Sequence, residues 1–253
     1  PIVCSTSVLL SIKNGNTRYS SMGYSNYGIV LSAALGQHEA GYAFGRVALD
    51  VGKEFKDMQQ ICKNSFIFAT FLNNWVRPIQ EGEDVNDEGY HVGMQSGELQ
   101  FVGYILHSKL LNAFIRGDSL EDIEKHIPQF YHFQQKTQNQ WAIDSIGALS
   151  LAVSKLRGEK QDLIEENKFI ESVSKNESQH GLCFYKIHMA QVEFIFRNYE
   201  KSLCLTGEAE ELLPNIYGYL ATAECNFYNS LSLSMLVMKN ESSQREEKIE
   251  KTN

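Results

Sequence analysis

Proline is scarce in this chain of 253 residues, with four in all. Because proline removes a backbone donor and clashes with the preceding turn, its rarity leaves long stretches free to form helix. Three of the four, Pro78, Pro128 and Pro214, fall where a helix would end or bend. The five cysteines, Cys4, Cys62, Cys183, Cys204 and Cys225, lack any CxxC pair or metal-ligand spacing, and their odd number leaves one thiol over after any pairing. A reducing, cytoplasmic setting is the expectation. No apolar run approaches the ~18 residues of a membrane span. Cationic residues are outnumbered, 23 Lys and Arg against 31 Asp and Glu, and a net charge of −8 disfavours a nucleic-acid backbone as partner. The chain begins with Pro1, and "PIVCSTSVLLSI" has no basic leader, so the expectation is a segment of a longer polypeptide.

What the chain does have is helical periodicity from end to end. Cys4, Val8, Leu9 and Ile12 share one face; "NGNTRYSSMG" interrupts; Tyr27, Val30, Leu31 and Leu35 resume the pattern up to Gly36. Tyr42, Ala43, Val47, Ala48 and Val51 continue it as the second member of a helix pair. "QQICKNSFIFATFLNNWVRPIQ" reads as an apolar helix closed before Pro78, and "DVNDEGYHVGMQSGE" as a polar one closed near Gly97. Next come "LQFVGYILHSKLLNAFIRG" up to Gly117, "DSLEDIEKHIPQFYHFQQK" with Asp118 or Ser119 as N-cap, and "NQWAIDSIGALSLAVSKLRG" up to Gly158. The polar stretch 159–180 is expected to be a long connection. "CFYKIHMAQVEFIFRN" is apolar around most of its circumference and so buried between neighbours, with "YEKSLCLTGEAEELLPN" as its amphipathic partner.

The segment "AECNFYNSLSLSML", 223–236, tests the helix reading, because Leu231 to Met235 alternates as a strand would. Leu220, Phe227, Leu231, Met235 and Met238 nevertheless stack on one helical face, and no β-branched residue appears before Val237. Helix is therefore expected, with Ser230 and Ser234 bonding back one turn rather than serving as nucleophiles, since no G-x-S-x-G elbow frames them.

Residues that invite a chemical reading have ordinary alternatives. His38-Glu39 fails the H-E-x-x-H pattern because position 42 is Tyr, and the pair is expected to open a helix. His188, set among Ile187, Met189 and Val192, reads as a buried histidine; His91, His126 and His132 have unremarkable settings. Gly41 and Gly45 lack the preceding strand of a phosphate loop and suit close helix packing. Glu81, Glu83, Asp84, Asp87 and Glu88 lack a calcium-loop frame and suit a helix N-terminus. No catalytic, cofactor or metal residue is assigned. Tyr42, Trp75, Tyr104, Phe114 and Trp141 are the candidates to line a concave groove.

Several helix junctions share a form: "GQHEAGYAFGRVAL", "GELQFVGYIL" and "RNYEKSLCL", the last shaped like a tetratricopeptide junction, at spacings longer than that repeat's ~34 residues. "GYSNYGIVL", "GYAFGRVALDV", "EGYHVGMQSGELQFVGYIL", "NAFIRGDSLED" and "AECNFYNSLSL", in this order, resemble the helical-repeat region of the large cyanobacterial-type hybrid signalling kinases. The resemblance covers most of residues 1–238. It implies a parent chain with a serine/threonine kinase domain and an AAA-type ATPase before this region, and a GAF sensor and histidine kinase after it, with ATP bound by those flanking domains. None of that family's catalytic motifs is present: no H-R-D loop, no D-F-G and no phosphate loop.

The expected fold is accordingly all-α: a right-handed superhelical array of antiparallel helix pairs, a degenerate TPR-like α-solenoid of ten or eleven helices over 1–240, with 241–253 as a charged linker or helical extension. The expected function is a non-catalytic interaction and relay scaffold contacting the flanking domains or a protein partner, without nucleic acid or membrane. A small-ligand-sensing module of an ATPase-type regulator is the alternative, and an all-α enzyme using His38, Glu39 or the acidic cluster is the third.

Overall fold

The computed structural model describes residues 2–158 and 164–250, with side chains to residue 239. Among the described residues there are twelve α-helices and no strand: α1 (Ile2–Asn14), α2 (Ser20–Ile29), α3 (His38–Glu54), α4 (Met58–Ile67), α5 (Glu83–Ser96), α6 (Leu99–Arg116), α7 (Leu120–Thr137), α8 (Gln140–Arg157), α9 (Glu166–Lys175), α10 (Gln179–Ile195), α11 (Tyr199–Glu210) and α12 (Ala221–Glu250). Single π-helical turns, Val30–Ala34 and Phe68–Leu72, extend α2 and α4. Helices α5 and α6 stop at Gly97 and Gly117, whose φ values of +75° and +78° cost glycine little and let each helix end within one residue. Pro128 lies inside α7 rather than ending it, and Gln138, not a glycine, takes the left-handed turn that closes that helix.

Backbone packing divides the chain into two units, Pro1–Ile146 with Gly218–Leu220, and Gly147–Tyr217 with Ala221–Asn253. In the first, each of α1 to α5 lies antiparallel to the next helix, and glycine sets the spacing. A Cβ added to Gly23 would meet Ser7 Oγ at 2.5 Å, one on Gly41 would sit 2.7 Å from the Gly28 carbonyl oxygen, and one on Gly45 would sit 2.5 Å from Leu72. The same holds for Gly89 against Ser65 and Gly93 against Cys62, both at under 3 Å. Residue numbers rise on one helix as they fall on its neighbour, so the pairs α1/α2 through α4/α5 are true antiparallel hairpins.

Alternate helices run the same way, and buried polar contacts hold them. Between α2 and α4, Ser25 Oγ donates to Asn64 Oδ1 (2.9 Å) across 39 residues, and Arg18, ahead of α2, donates from Nε to Asp57, the N-cap of α4 (2.8 Å), across the same 39. Between α4 and α6, Thr70 Oγ1 and Ser108 Oγ lie 2.8 Å apart and Asn74 Nδ2 donates to Asn112 Oδ1 at 3.1 Å, each spanning 38. Asn139, which caps α8, donates to the Gln100 carbonyl oxygen across 39 residues. A constant separation is the register of parallel, stacked helices.

This packing makes glycine substitutions diverge in sign. Gly41→Ala drives a methyl into the Gly28 carbonyl and Ser32, and is expected to destabilise by about 1–3 kcal/mol. Gly207→Ala, at an exposed helical position of α11 with nothing within 4 Å, is expected to stabilise by up to ~1 kcal/mol. Urea unfolding of the two variants checks both.

In the second unit α10 is the central element, with Cys183, Phe184, Ile187, Met189, Ala190 and Val192 all buried. Ser202 Oγ of α11 donates to the Ala190 carbonyl (2.8 Å), and Ser232 Oγ of α12 donates to Ser202 Oγ (2.9 Å). The stretch 159–180, expected as a connection, contains α9, which buries Phe169 and Val173; the charged residues around those two had masked its apolar stripe. Residues 159–163 of that stretch lie outside the described residues.

The helix expected over 223–236 is present as part of α12, and Ser230 and Ser234 each donate to the carbonyl four residues back at 2.9 Å. Its buried face differs from the expected one: Phe227 and Met238 are 56% and 60% exposed, whereas Ala221, Cys225 and Ser232 are buried. Small residues face α11 because the two backbones approach closely. Of the charged end 241–253, the backbone is helical to Glu250, and 251–253 lie outside the described residues.

Candidate functional site

The aromatic residues singled out from the sequence lie in the first unit. Helix α3 opens at His38 and carries His38, Tyr42 and Arg46 at four-residue steps, hence on one stripe. Beyond the π turn of α4, a short 3-10 turn (Asn73–Trp75) carries the chain across this stripe. There Trp75 stacks on His38 with ring centroids 5.3 Å apart, and Ser32 Oγ holds His38 Nδ1 at 2.9 Å. Tyr42 packs on Phe68 at 5.2 Å, while the Arg77 guanidinium lies 5.4 Å above Tyr42 and that of Arg46 lies 5.8 Å from Phe68.

A second group forms on α6 and α8. Trp141 meets Tyr104 edge to face at 5.1 Å and His107 at 5.2 Å, and Tyr104 also packs on Phe66 and Phe101. The residues joining the two groups come from Gly218–Leu220. Trp75 Nε1 donates to the Gly218 carbonyl oxygen at 2.9 Å, and Tyr219, 5% exposed, packs on Phe71 at 4.7 Å and on Trp141 at 6.0 Å. Burial holds the Tyr219 phenol well above its ordinary range, so it is neutral at any physiological pH.

Tyr42, Trp75, Tyr104 and Trp141 are each half-buried. Phe114, at 4% exposure, is part of the core. Sequence reasoning missed Arg46, Arg77 and Tyr219. The stripe 38, 42, 46 was available as an i, i+4, i+8 pattern; the Trp75 contact to Gly218, across 143 residues, carries no local signal.

Three members of the acidic cluster after Pro78, Glu83, Asp87 and Glu88, are drawn into ion pairs. Glu83 and Asp84 occupy the first turn of α5, Glu88 pairs with Lys53 (2.7 Å) and Asp87 with Lys109. Glu83 accepts from Asn112 at 3.3 Å and lies 3.7 Å from Arg116; burial raises its pKa, and Asn112, Lys109 and Arg116 oppose that rise. Glu83, Lys109 and Arg116 edge a cavity of about 290 Å³ whose apolar lining includes Leu110, Ile123 and Phe130, the last stacked on His126. His188, in the second unit, is 1% exposed, stacks on Phe184 at 6.0 Å, and has its pKa lowered to about 4 by burial, which keeps it neutral. Glu224 of α12 is the reverse case, its pKa raised to about 7 by burial.

Among the described residues no group of three or more His, Cys, Asp or Glu side chains is placed to hold a metal ion, and no helix is long and apolar enough to cross a membrane. No protein-family model matches the sequence, and no curated protein matches it significantly.

Proposed function

We propose that this chain is a degenerate TPR-like α-solenoid acting as a non-catalytic interaction and relay scaffold within a multidomain serine/threonine and histidine kinase. Its partners are the flanking kinase, ATPase and sensor domains of the same polypeptide or a protein that bridges them, and ATP is bound by those flanking domains rather than here. The observation that carries the reading is the register of the first unit, where each of α1 to α5 is antiparallel to the next helix and alternate helices stack parallel at separations of 38 and 39 residues. Stacked repeats of that kind leave an extended surface whose side chains are spent on packing and on display. The half-buried aromatics Tyr42, Trp75, Tyr104 and Trp141 are the displayed part.

The test is deletion of the segment from its parent kinase. Both kinase domains are expected to keep basal phosphorylation of a generic substrate while losing response to the upstream signal. Unchanged signal response would overturn the reading.

The approximately 290 Å³ cavity edged by Glu83 and Arg116 favours a second reading, ligand sensing. A metabolite screen that raises the melting temperature of the wild type, but not of Ile123→Trp, which fills the cavity, would support it. No thermal shift with any compound would remove it.

A further inference from the structure

Two arginines in the first unit are placed unlike the others whose pairing is visible. Arg18 and Arg116 are held by Asp57 and Asp118. Arg46 and Arg77 lie over the rings of Phe68 and Tyr42, as Arg18 does over Tyr19, but among the described residues neither has a carboxylate partner, although the chain carries 31 acidic residues. Glu39 and Asp50 share helix α3 with Arg46, yet neither is drawn into an ion pair with it. With no carboxylate engaged, the N–H groups of these two guanidinia are left to grip carboxylates two bonds at a time. Among the described residues the Arg77 head makes one hydrogen bond, a long one of 3.5 Å to the Val76 carbonyl.

These two cations flank an aromatic step. Tyr42 and Phe68 sit between them at 5.2 Å, and His38 stacked on Trp75 extends the same α3 stripe by one turn. Both arginines are exposed, while Tyr42 and Trp75 are half-buried and fixed by packing, so the rings are pre-positioned and only the two long side chains need to settle on a ligand. In a chain of net charge −8, this is a local site for negative charge, and the overall charge turns away nucleic acid, whose phosphates would cross the acidic remainder of the surface.

We infer that the His38–Tyr42–Arg46 stripe, with Trp75 and Arg77, docks an acidic peptide segment of a protein partner, its carboxylates on the two arginines and an aromatic or aliphatic side chain against Trp75 and Tyr42. The inference rests on the scaffold reading and names the partner chemistry of that surface.

The probe is a fluorescein-labelled peptide of alternating glutamate with leucine and tryptophan, titrated against the full chain and followed by anisotropy. Binding is expected, weakening with added salt, and a counterpart with lysine in place of glutamate is expected not to bind. Arg46→Gln with Arg77→Gln is expected to weaken binding about tenfold or more, with unchanged circular dichroism and melting, because both side chains are exposed. Trp75→Phe, which keeps a ring at that position, is expected to weaken it less. Equal affinity of the wild type and the double glutamine variant would overturn the inference, as would a single-stranded oligonucleotide competing as well as the peptide. A parallel pull-down with purified flanking domains separates the two levels: if the wild type captures one and the double variant captures it equally, the acidic-peptide inference fails alone. If the wild type captures none, the scaffold reading fails.

Discussion

Tyr219→Ala is expected to lower the stability of the first unit by about 3–5 kcal/mol, the range for removing a buried aromatic ring. Tyr219 is 5% exposed and contacts Phe71, Trp141 and His107 through ring centroids 4.7, 6.0 and 6.3 Å away, so the deletion opens a ring-sized hole between these three side chains. Tyr219→Phe keeps the ring, and its cost is expected to stay near ~1 kcal/mol. Trp75→Phe removes the 2.9 Å bond to the Gly218 carbonyl and is expected to cost about 0.5–1.5 kcal/mol. Both tryptophans of the chain, Trp75 and Trp141, belong to this cluster, so urea unfolding followed by tryptophan fluorescence reports it directly. A Tyr219→Ala variant within ~1 kcal/mol of wild type would mean that the tripeptide is not packed on the aromatic surface.

The second large effect is a pair of opposed pH dependences within the second unit. His188 is neutral when folded, its pKa lowered by burial to about 4, below its unfolded value of 6.5. Its contribution is fully present above pH 6.5 and is lost as pH falls toward 4. Glu224 has its pKa raised by burial from 4.5 to about 7, so its contribution is fully present below pH 4.5 and is lost as pH rises through 7. Between those limits the slopes cancel in part, and wild-type stability is expected to vary little. Glu224→Gln removes one of them: the variant is expected to be more stable than wild type by about 1–3 kcal/mol above pH 7, to converge with it at the acid end, and to expose the acid loss due to His188. Parallel stability curves for wild type and Glu224→Gln would contradict this.

Helix positions were legible because they depend on local signals. Gly97 and Gly117 end α5 and α6 where expected, and His38 opens α3. Which face each helix buries was less legible, since burial is decided by partners distant in sequence. On α12 the large residues Phe227 and Met238 suggested the inner face, yet α11 comes close enough that Ala221, Cys225 and Ser232 take that place. Helix α9 was hidden because two buried residues, Phe169 and Val173, anchor an otherwise charged segment. At the candidate site, Tyr42 and Trp75 fall in one aromatic group and Tyr104 and Trp141 in another, and the residues between them, Gly218 and Tyr219, are brought in from a remote part of the chain.

Polar residues are what record the stacking. Serine, threonine and asparagine at 0–3% exposure would be costly if unpaired, so a shifted register would strand them. That makes the 38- and 39-residue contacts a specification of the helix stack as well as a product of it. The decisive measurement is a set of double-mutant cycles on Ser25 with Asn64 and on Thr70 with Ser108, with Ser25 and Ser108 as the non-contacting control. Coupling of about 0.5–3 kcal/mol within each contacting pair, and additivity within about 0.5 kcal/mol for the control, is the expected result. Additivity in both contacting pairs would contradict a repeat stack in this register.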